Sequence, residues 1–249
     1  MTAPSAPPPS RPPSSPPSSP GSPRIVILTG AGISRESGLD TFRDPGGVWE
    51  RVRLEDVATP DAFRRDPERV HAFYDARRAQ LAAVEPNAAH RALAELERAL
   101  PGQVLVVTQN VDDLHERAGT RALLHMHGRL RRVRCLRCDA NPDWDGPTGD
   151  GAPCPACGAP ALRPDVVWFG EMPHHMDEIE AALAGCDLFV SVGTSGTVYP
   201  AAGFVAIAAR RARTIELNLA PSFSSDFDEH RAGPATELVP RLVRELLAA

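Results

Sequence analysis

The chain has 249 residues, of which 42% are hydrophobic, and its formal net charge is −5. This length and apolar content suffice for one large domain with at most a small insert. The negative charge provides no general attraction to nucleic acid. Residues 1–23 are almost entirely Pro, Ser and Ala, so we predict a disordered arm without a signal peptide. No apolar run is long enough to span a membrane, and we expect a cytoplasmic protein.

Short apolar runs alternate with helical patterns along the rest of the chain. The runs are typical of strands buried on both faces and lie at 24–29, 103–108, 187–195 and 214–218. Helices are predicted at 66–81, 87–100, 201–211 and 235–248. This alternation predicts an α/β fold with a Rossmann-like, doubly wound parallel sheet. Ligands of such sheets bind where the strands end, and here those turns are small or polar.

The helix at 66–81 carries an arginine within its apolar stripe. Asp66 is a favourable N-cap and Pro67 occupies the first helical position. The stripe, at helical spacing, consists of Val70, Phe73, Tyr74, Arg77 and Leu81. The Arg77 guanidinium cannot be deprotonated and therefore needs an anion or water. The pattern alone leaves two interpretations open, a side chain that reaches solvent and a pocket that binds a carboxylate.

A glycine-rich turn follows the first strand. Gly30-Ala31-Gly32 resembles a dinucleotide-binding turn, in which glycines let the backbone approach a pyrophosphate. Arg35 occupies the place of the last glycine of that pattern. A nucleotide site and an ordinary tight turn therefore both remain open for this motif.

Two cysteine pairs indicate a metal site. Their spacing, C-x2-C-x15-C-x2-C, suits one tetrahedral zinc ion with no open coordination position, so the ion should be structural. The predicted ligands are Cys135, Cys138, Cys154 and Cys157. The fifth cysteine, Cys186, stands beside a predicted strand and is expected to be a core thiol.

The residues that precede the cysteines allow more than one interpretation. Five arginines crowd the entry to the zinc module, namely Arg129, Arg131, Arg132, Arg134 and Arg137. Such a cluster could contact nucleic acid. Aromatic residues do not alternate with the arginines and the net charge is negative, so a solvated face or a surface for an acidic partner is favoured. His127 is a candidate general base, although a lone histidine at a strand end is more often structural.

Taken in chain order, the motifs resemble those of one family. They are GAGIS-x-x-SG (30–38), TFR (41–43), TQNVD (108–112), HG (127–128), the four cysteines, VVWFGE (166–171), GTS (193–195) and LN (217–218). This ordered set resembles the sirtuins, which are NAD-dependent protein deacylases, and the resemblance covers residues 24–248. It implies a Rossmann-like NAD-binding domain at 24–127 and 166–249 and a zinc-binding module at 128–165. NAD and an acyl-lysine peptide would meet between the two.

The resemblance also implies roles for individual residues. The NAD site would comprise Gly30, Ala31, Gly32, Ile33, Ser34, Phe42, Arg43, Trp49, Gln109, Asn110, Val111, Asp112, His127, Gly193, Thr194, Ser195, Asn218, Leu219, Ala220 and Ala235. Asn110 and Asp112 would orient the ribose and the departing nicotinamide, and His127 would act as general base on a ribose hydroxyl. Residues 167–171 (Val167, Trp168, Phe169, Gly170 and Glu171) would bind the peptide backbone as an added strand. His125 would be a structural neighbour.

The resemblance favours the carboxylate interpretation of the helix. Tyr74-x-x-Arg77 is similar to the pair that binds the distal carboxylate in the sirtuin subclass acting on malonyl, succinyl and glutaryl lysine. Ala58 matches a small residue that leaves room in that pocket. The implied function is removal of succinyl or malonyl groups, and also acetyl groups, with release of nicotinamide and O-acyl-ADP-ribose. Mono-ADP-ribosyl transfer at the same site is the alternative enzymatic function, and a zinc-ribbon nucleic-acid binder is the non-enzymatic one. Acyl-lysine proteins or peptides are the expected partners, and neither a membrane nor a nucleic acid is expected.

Overall fold

The computed structural model describes residues 24–39, 53–149, 151–220, 222 and 224–248. The predicted arm at 1–23 lies outside these residues, as do three predicted NAD-site residues, Phe42, Arg43 and Trp49.

Helices and strands alternate through most of the described chain. The strands are β1 Ile25–Thr29, β2 Val104–Thr108, β3 Leu123–His125, β4 Gly128–Cys135, β5 Leu162–Val166, β6 Leu188–Val192, β7 Arg213–Asn218 and β8 Glu229–Ala232. The helices are α1 Ala31–Arg35, α2 Leu54–Val57, α3 Pro60–Arg65, α4 Pro67–Gln80, α5 Ala88–Ala99, α6 Leu114–Ala118, α7 Met176–Gly185, α8 Phe204–Ala208 and α9 Ala235–Leu247. Short 3₁₀ turns lie at Leu81–Ala83 and Ala201–Gly203.

Six strands form one parallel sheet in the order β3-β2-β1-β6-β7-β8. Its two faces belong to separate apolar cores, as a doubly wound sheet requires. Helices α5 and α9 cover one face through side chains such as Leu93 and Val239, whereas α7 and α8 cover the other through Ile179 and Phe204. The α/β class predicted from the sequence is therefore confirmed.

Strands β4 and β5 form a separate antiparallel pair that leads to and from the cysteine-rich segment. The apolar core around the cysteines is small and centres on Val133 and Leu162. Helices α2 to α4 pack with Leu130 of β4 and Trp168 after β5. The domain bounds expected at residues 128 and 165 stay a prediction.

Helix α4 begins as predicted, because the Asp66 side chain accepts the amide of Arg69 and Pro67 is the first helical residue. Its buried face differs from the predicted stripe. Val70, Tyr74 and Leu81 are buried, but Phe73 and Arg77 are half-buried, and the fully buried arginine is Arg78.

Arg78 is buried because the zinc module offers it polar partners that no local pattern contains. Its Nε donates to the carbonyl of Leu130 at 2.7 Å, and its NH1 group donates to the carbonyl of Gly146 at 3.1 Å. NH1 also donates to Asp75 at 2.6 Å. Arg78 therefore fixes α4 against the module and leaves Arg77 on a different side of the helix.

Several elements were not predicted from the sequence. The prediction missed α2, α3 and α7, as well as the short strand β3, the antiparallel pair β4 and β5, and the polar strand β8. The helix expected at 201–211 is a 3₁₀ turn followed by the five-residue α8. Among the described residues, no helix combines the length and apolar character needed to cross a bilayer.

Candidate active site and zinc centre

Two loops meet closely at the carboxyl ends of β1 and β6. A Cβ atom added to Gly30 would lie 2.8 Å from the carbonyl oxygen of Gly193, and one added to Gly32 would lie 2.7 Å from the Gly193 Cα. Gly193 has a φ of +60°, which favours glycine. These glycines are therefore required by the approach of the two loops, whatever else they bind.

A buried polar wall follows β2. Asn110 donates through Nδ2 to the carbonyl of Gly30 and to the Ser34 hydroxyl, both at 3.1 Å. Ser34 in turn donates to Asp112 Oδ2 at 3.0 Å. The other Asp112 oxygen accepts the amide of Leu114 at 3.1 Å. Burial raises the pKa of Asp112, which these hydrogen bonds and the field of nearby groups only partly offset.

His127 lies at the same sheet edge with one ring nitrogen engaged. Its Nδ1 is 3.0 Å from the carbonyl oxygen of Gln109. A carbonyl oxygen can only accept, so Nδ1 carries the proton and Nε2 keeps its lone pair. Burial holds the pKa of His127 below its usual value. The imidazole is therefore neutral near pH 7 and has the tautomer that a general base at Nε2 requires.

His125, two residues earlier, has both ring nitrogens occupied. Nδ1 lies 3.2 Å from the carbonyl of Asn110 and Nε2 lies 2.8 Å from a Glu116 oxygen. The side chain is buried. This geometry favours a structural role for His125 and leaves His127 as the histidine with an available nitrogen.

The turns after β6 and β7 complete this edge of the sheet. Asn218 Nδ2 donates to the carbonyl of Thr194 at 2.7 Å and so ties the two turns together. Ser195, Leu219 and Ala220 are exposed. Two predicted NAD-site side chains, Ile33 and Ala235, instead belong to the apolar core, so they present main chain rather than side chain to any ligand.

One cavity joins helix α4 to the polar wall. Its lining includes Arg77, Leu81 and Leu130 on one side and Asn110, Val111, Asp112 and Ala31 on the other. Arg77 is half-buried there, with its guanidinium carbon 5.9 Å from the centre of the Phe73 ring. The structure therefore brings the stripe arginine to the same space as the predicted catalytic residues.

The VVWFGE segment borders this region. Phe169 donates its amide to the carbonyl of Ala58 at 3.0 Å, and Val167 donates its amide to the carbonyl of His127 at 2.9 Å. The Trp168 indole Nε1 donates to the Tyr74 hydroxyl at 3.0 Å. Burial raises the pKa of Tyr74 to about 12. These contacts place Ala58 and Tyr74 beside the predicted peptide-binding segment.

The four predicted zinc ligands lie together. Their sulfur atoms are all within 4.8 Å of one another, with 3.7 Å between Cys135 and Cys157 and 3.8 Å between Cys138 and Cys154. Sulfur atoms at the corners of a tetrahedron around zinc would be about 3.8 Å apart, given Zn–S bonds of about 2.3 Å. The residues therefore fit one zinc ion, which would hold the module together and lies outside the chemistry.

Acidic residues pair with three of the five arginines at the entry to the zinc module. Arg131 contacts Asp113 at 2.7 Å and Asp145 at 2.5 Å. Arg132 lies 3.5 Å from Asp143, and Arg129 lies 3.9 Å from Glu116. Paired guanidinium groups present little net charge, which supports a solvated face and gives no support to the nucleic-acid hypothesis.

The prediction missed two buried groups at the site. His90 lies 3.4 Å from the Ser34 hydroxyl, behind the polar wall, and burial lowers its pKa to about 3. Its sequence signal was the N-cap Asn87 three residues earlier, which forms a reciprocal capping box with His90. Arg163 is almost fully buried and pairs with Glu171 at 2.7 Å. No local pattern could have identified that pair.

Comparison with known proteins agrees with this arrangement. The model of the Sir2 family matches residues 30–200. The chain belongs to the Sir2 family. An NAD-dependent protein deacylase of Bdellovibrio bacteriovorus is 57% identical over 227 residues, which cover 90% of this chain and 96% of the relative.

Solved structures support the same assignment. A Sir2 homologue in complex with NAD is 41% identical, with a TM-score of 0.81 and 90% of both chains covered. A Sir2 protein with a deacetylated p53 peptide and 3′-O-acetyl-ADP-ribose is 29% identical, with a TM-score of 0.79, and covers 90% of this chain and 94% of that one. The predictions of the family, of an enzyme that uses NAD and of one zinc ion are therefore confirmed.

Proposed function

We propose that this Sir2 enzyme removes succinyl and malonyl groups, and also acetyl groups, from lysine side chains of proteins, and that it yields nicotinamide and O-acyl-ADP-ribose. The broader activity is that of an NAD-dependent protein deacylase. The observation that carries the finer proposal is the cavity shared by Arg77 with Asn110 and Asp112. An acyl group that reaches the reacting atoms through this cavity passes a fixed positive charge.

The pocket chemistry suits an acyl chain that ends in a carboxylate. Arg77 offers only hydrogen-bond donors and keeps its charge at all working pH values. The Tyr74 hydroxyl remains protonated with a pKa of about 12. Ala58 contributes a small buried side chain. A charge-assisted bond from arginine to a carboxylate is stronger than a neutral hydrogen bond, so it favours succinyl over acetyl.

The proposed catalytic roles follow from the hydrogen bonds of the polar wall. NAD supplies the ribose carbon that accepts the acyl oxygen as nicotinamide leaves. Asn110 is held by Gly30 and Ser34, and Asp112 by Ser34 and Leu114. Groups fixed in this way need not reorganise as charge develops, which is how a preorganised site lowers a barrier. His127 would then accept a ribose hydroxyl proton at Nε2.

The peptide would bind along residues 167–171, in a manner that the amide contacts constrain. The amides of Val167 and Phe169 donate to the carbonyls of His127 and Ala58, and the Trp168 amide donates to Glu171. We therefore propose that the carbonyl oxygens of this segment, rather than those three amides, pair with the substrate backbone.

Product analysis tests the proposal. The purified enzyme is incubated with NAD and a succinyl-lysine peptide, and the products are quantified by mass spectrometry. Deacylated peptide, nicotinamide and O-succinyl-ADP-ribose in equal amounts are expected, and His127→Ala serves as the inactive control. ADP-ribose attached to protein without loss of the succinyl group would instead establish the transferase function. Turnover of an acetyl peptide alone would contradict the carboxylate pocket.

A further inference from the structure

Trp168 connects the predicted acyl pocket to a buried ion pair. Its indole nitrogen lies 3.0 Å from the Tyr74 oxygen, with both side chains buried. The Arg163 guanidinium carbon lies 3.5 Å from the centre of an indole ring. Trp168 therefore contacts both a predicted pocket residue and a buried cation of strand β5.

The indole fixes which way the Tyr74 hydroxyl points. An indole N–H can only donate, whereas a phenolic hydroxyl can donate or accept. Tyr74 therefore accepts from Trp168, and its proton must point away from the indole because two donors cannot face each other. The pKa of about 12 keeps that proton in place. The Tyr74 hydroxyl can therefore donate its proton to a further partner, and it lies on the helix that carries Arg77.

Several contacts fix the position of the Trp168 indole. Arg163 holds Glu171 through two bonds, from NH1 to Oε1 at 2.7 Å and from NH2 to Oε2 at 3.0 Å. Glu171 Oε2 also accepts the main-chain amide of Trp168 at 2.8 Å. The Phe63 ring packs against the indole with the two ring centres 5.3 Å apart. The ion pair thus holds both the backbone and the ring of Trp168.

We propose that Trp168 is a specificity-determining positioning residue, whose indole N–H directs the Tyr74 hydroxyl proton towards the acyl carboxylate and whose own position is set by the Arg163–Glu171 pair. The inference rests on the proposed function, because it concerns selectivity between acyl groups with and without a carboxylate. An acetyl group offers no anion to that proton. Loss of the indole N–H should therefore weaken succinyl-lysine binding more than acetyl-lysine binding.

A double-mutant cycle tests the coupling. The ratio of kcat/KM for succinyl-lysine to that for acetyl-lysine is measured on one peptide for wild type, Trp168→Phe, Tyr74→Phe and the double variant. We expect Trp168→Phe to lower the ratio about 3- to 10-fold, the size of one buried neutral hydrogen bond, mainly through KM for the succinyl peptide. In the Tyr74→Phe background, the same change should alter the ratio less than about 2-fold.

Phe63→Leu is the matched control. It removes an aromatic contact of the indole but keeps the indole N–H, so the ratio should stay within about 2-fold of wild type. The inference is overturned if this control reproduces the fall, or if Trp168→Phe lowers the ratio equally with and without the Tyr74 hydroxyl. A wild-type enzyme without succinyl preference would contradict the proposed function and the inference together. A wild-type preference that survives Trp168→Phe would contradict the inference alone.

An NMR measurement that leaves Trp168 in place tests the inference even if Trp168→Phe does not fold. The chain contains three tryptophans, and their indole N–H signals are followed by ¹H–¹⁵N NMR. One signal should move in Tyr74→Phe. Both peptides bind along residues 167–171 and should shift the same signal, but the shift should be clearly larger with a succinyl-lysine peptide than with an acetyl-lysine peptide. An indole spectrum that does not distinguish the two peptides would overturn the inference.

Discussion

Replacement of Arg77 by methionine should separate the two substrate classes. Arg77 is half-buried in the cavity that it shares with Asn110 and Asp112. One hydrogen bond to a charged group contributes about 1.5–3 kcal/mol, and partial exposure places Arg77 towards the lower end, at about 2 kcal/mol. That loss corresponds to about 30-fold in kcat/KM for succinyl-lysine. Activity on acetyl-lysine should fall far less, because methionine preserves the length of the pocket wall.

The neighbouring Arg78 provides the control. Its side chain is buried, and it donates to Asp75 and to the carbonyls of Leu130 and Gly146. Arg78→Met leaves these acceptors without their partner, so it should cost on the order of 3–5 kcal/mol of folding free energy and lower the Tm. The assay is steady-state kinetics on one peptide with either acyl group, together with thermal unfolding. Equal losses on both substrates in Arg77→Met, or a Tm as low as that of Arg78→Met, would show that Arg77 stabilises the fold and does not bind the acyl carboxylate.

Three further predictions concern two histidines and the zinc site. Because burial holds the pKa of His127 below its usual value, kcat/KM should decrease on acidification only below about pH 6.5. His127→Ala should lose at least about 100-fold in kcat, while NAD binding measured by calorimetry persists. A decrease in kcat/KM on acidification that begins above pH 7 would contradict this assignment. His90, with a pKa of about 3, binds a proton readily only when unfolded, so it should contribute about 2 kcal/mol to the fall in the free energy of unfolding between pH 7 and pH 5. Urea unfolding at both pH values checks this, and an equal fall in His90→Gln would count against it. Cys138→Ser should abolish the stoichiometric zinc measured by native mass spectrometry and destabilise the module, and full zinc occupancy in this variant would contradict the assigned ligand set.

The sequence predicted those parts of the fold that depend on local patterns. Buried strands such as β1 and β6 are continuous apolar runs, and α5 has both its cap and its apolar face in the sequence. Strand β8 was missed because its residues, EHRA, are mostly polar. It is recruited by pairing with β7 in register, a non-local interaction that its own residues do not indicate.

The candidate site was likewise predicted where its residues form a local pattern and missed where it depends on contacts between distant segments. The spacing of the cysteines predicted a cluster that the structure brings together. The stripe of α4 placed Arg77 among the apolar residues, whereas the buried arginine of this helix is Arg78, two of whose partners lie 52 and 68 residues away in the chain. The link from Arg163 through Trp168 to Tyr74 likewise joins distant segments. Pairs of this kind become visible only when the strands and helices are placed in space.

The central claim is that helix α4 presents a carboxylate-binding arginine to the reacting end of the NAD site. It is tested most directly by wild-type kcat/KM, with NAD in excess, on a single peptide that carries either succinyl-lysine or acetyl-lysine. We predict a clear preference for succinyl-lysine, expressed mainly in KM. Turnover of acetyl-lysine with no measurable turnover of succinyl-lysine would contradict it.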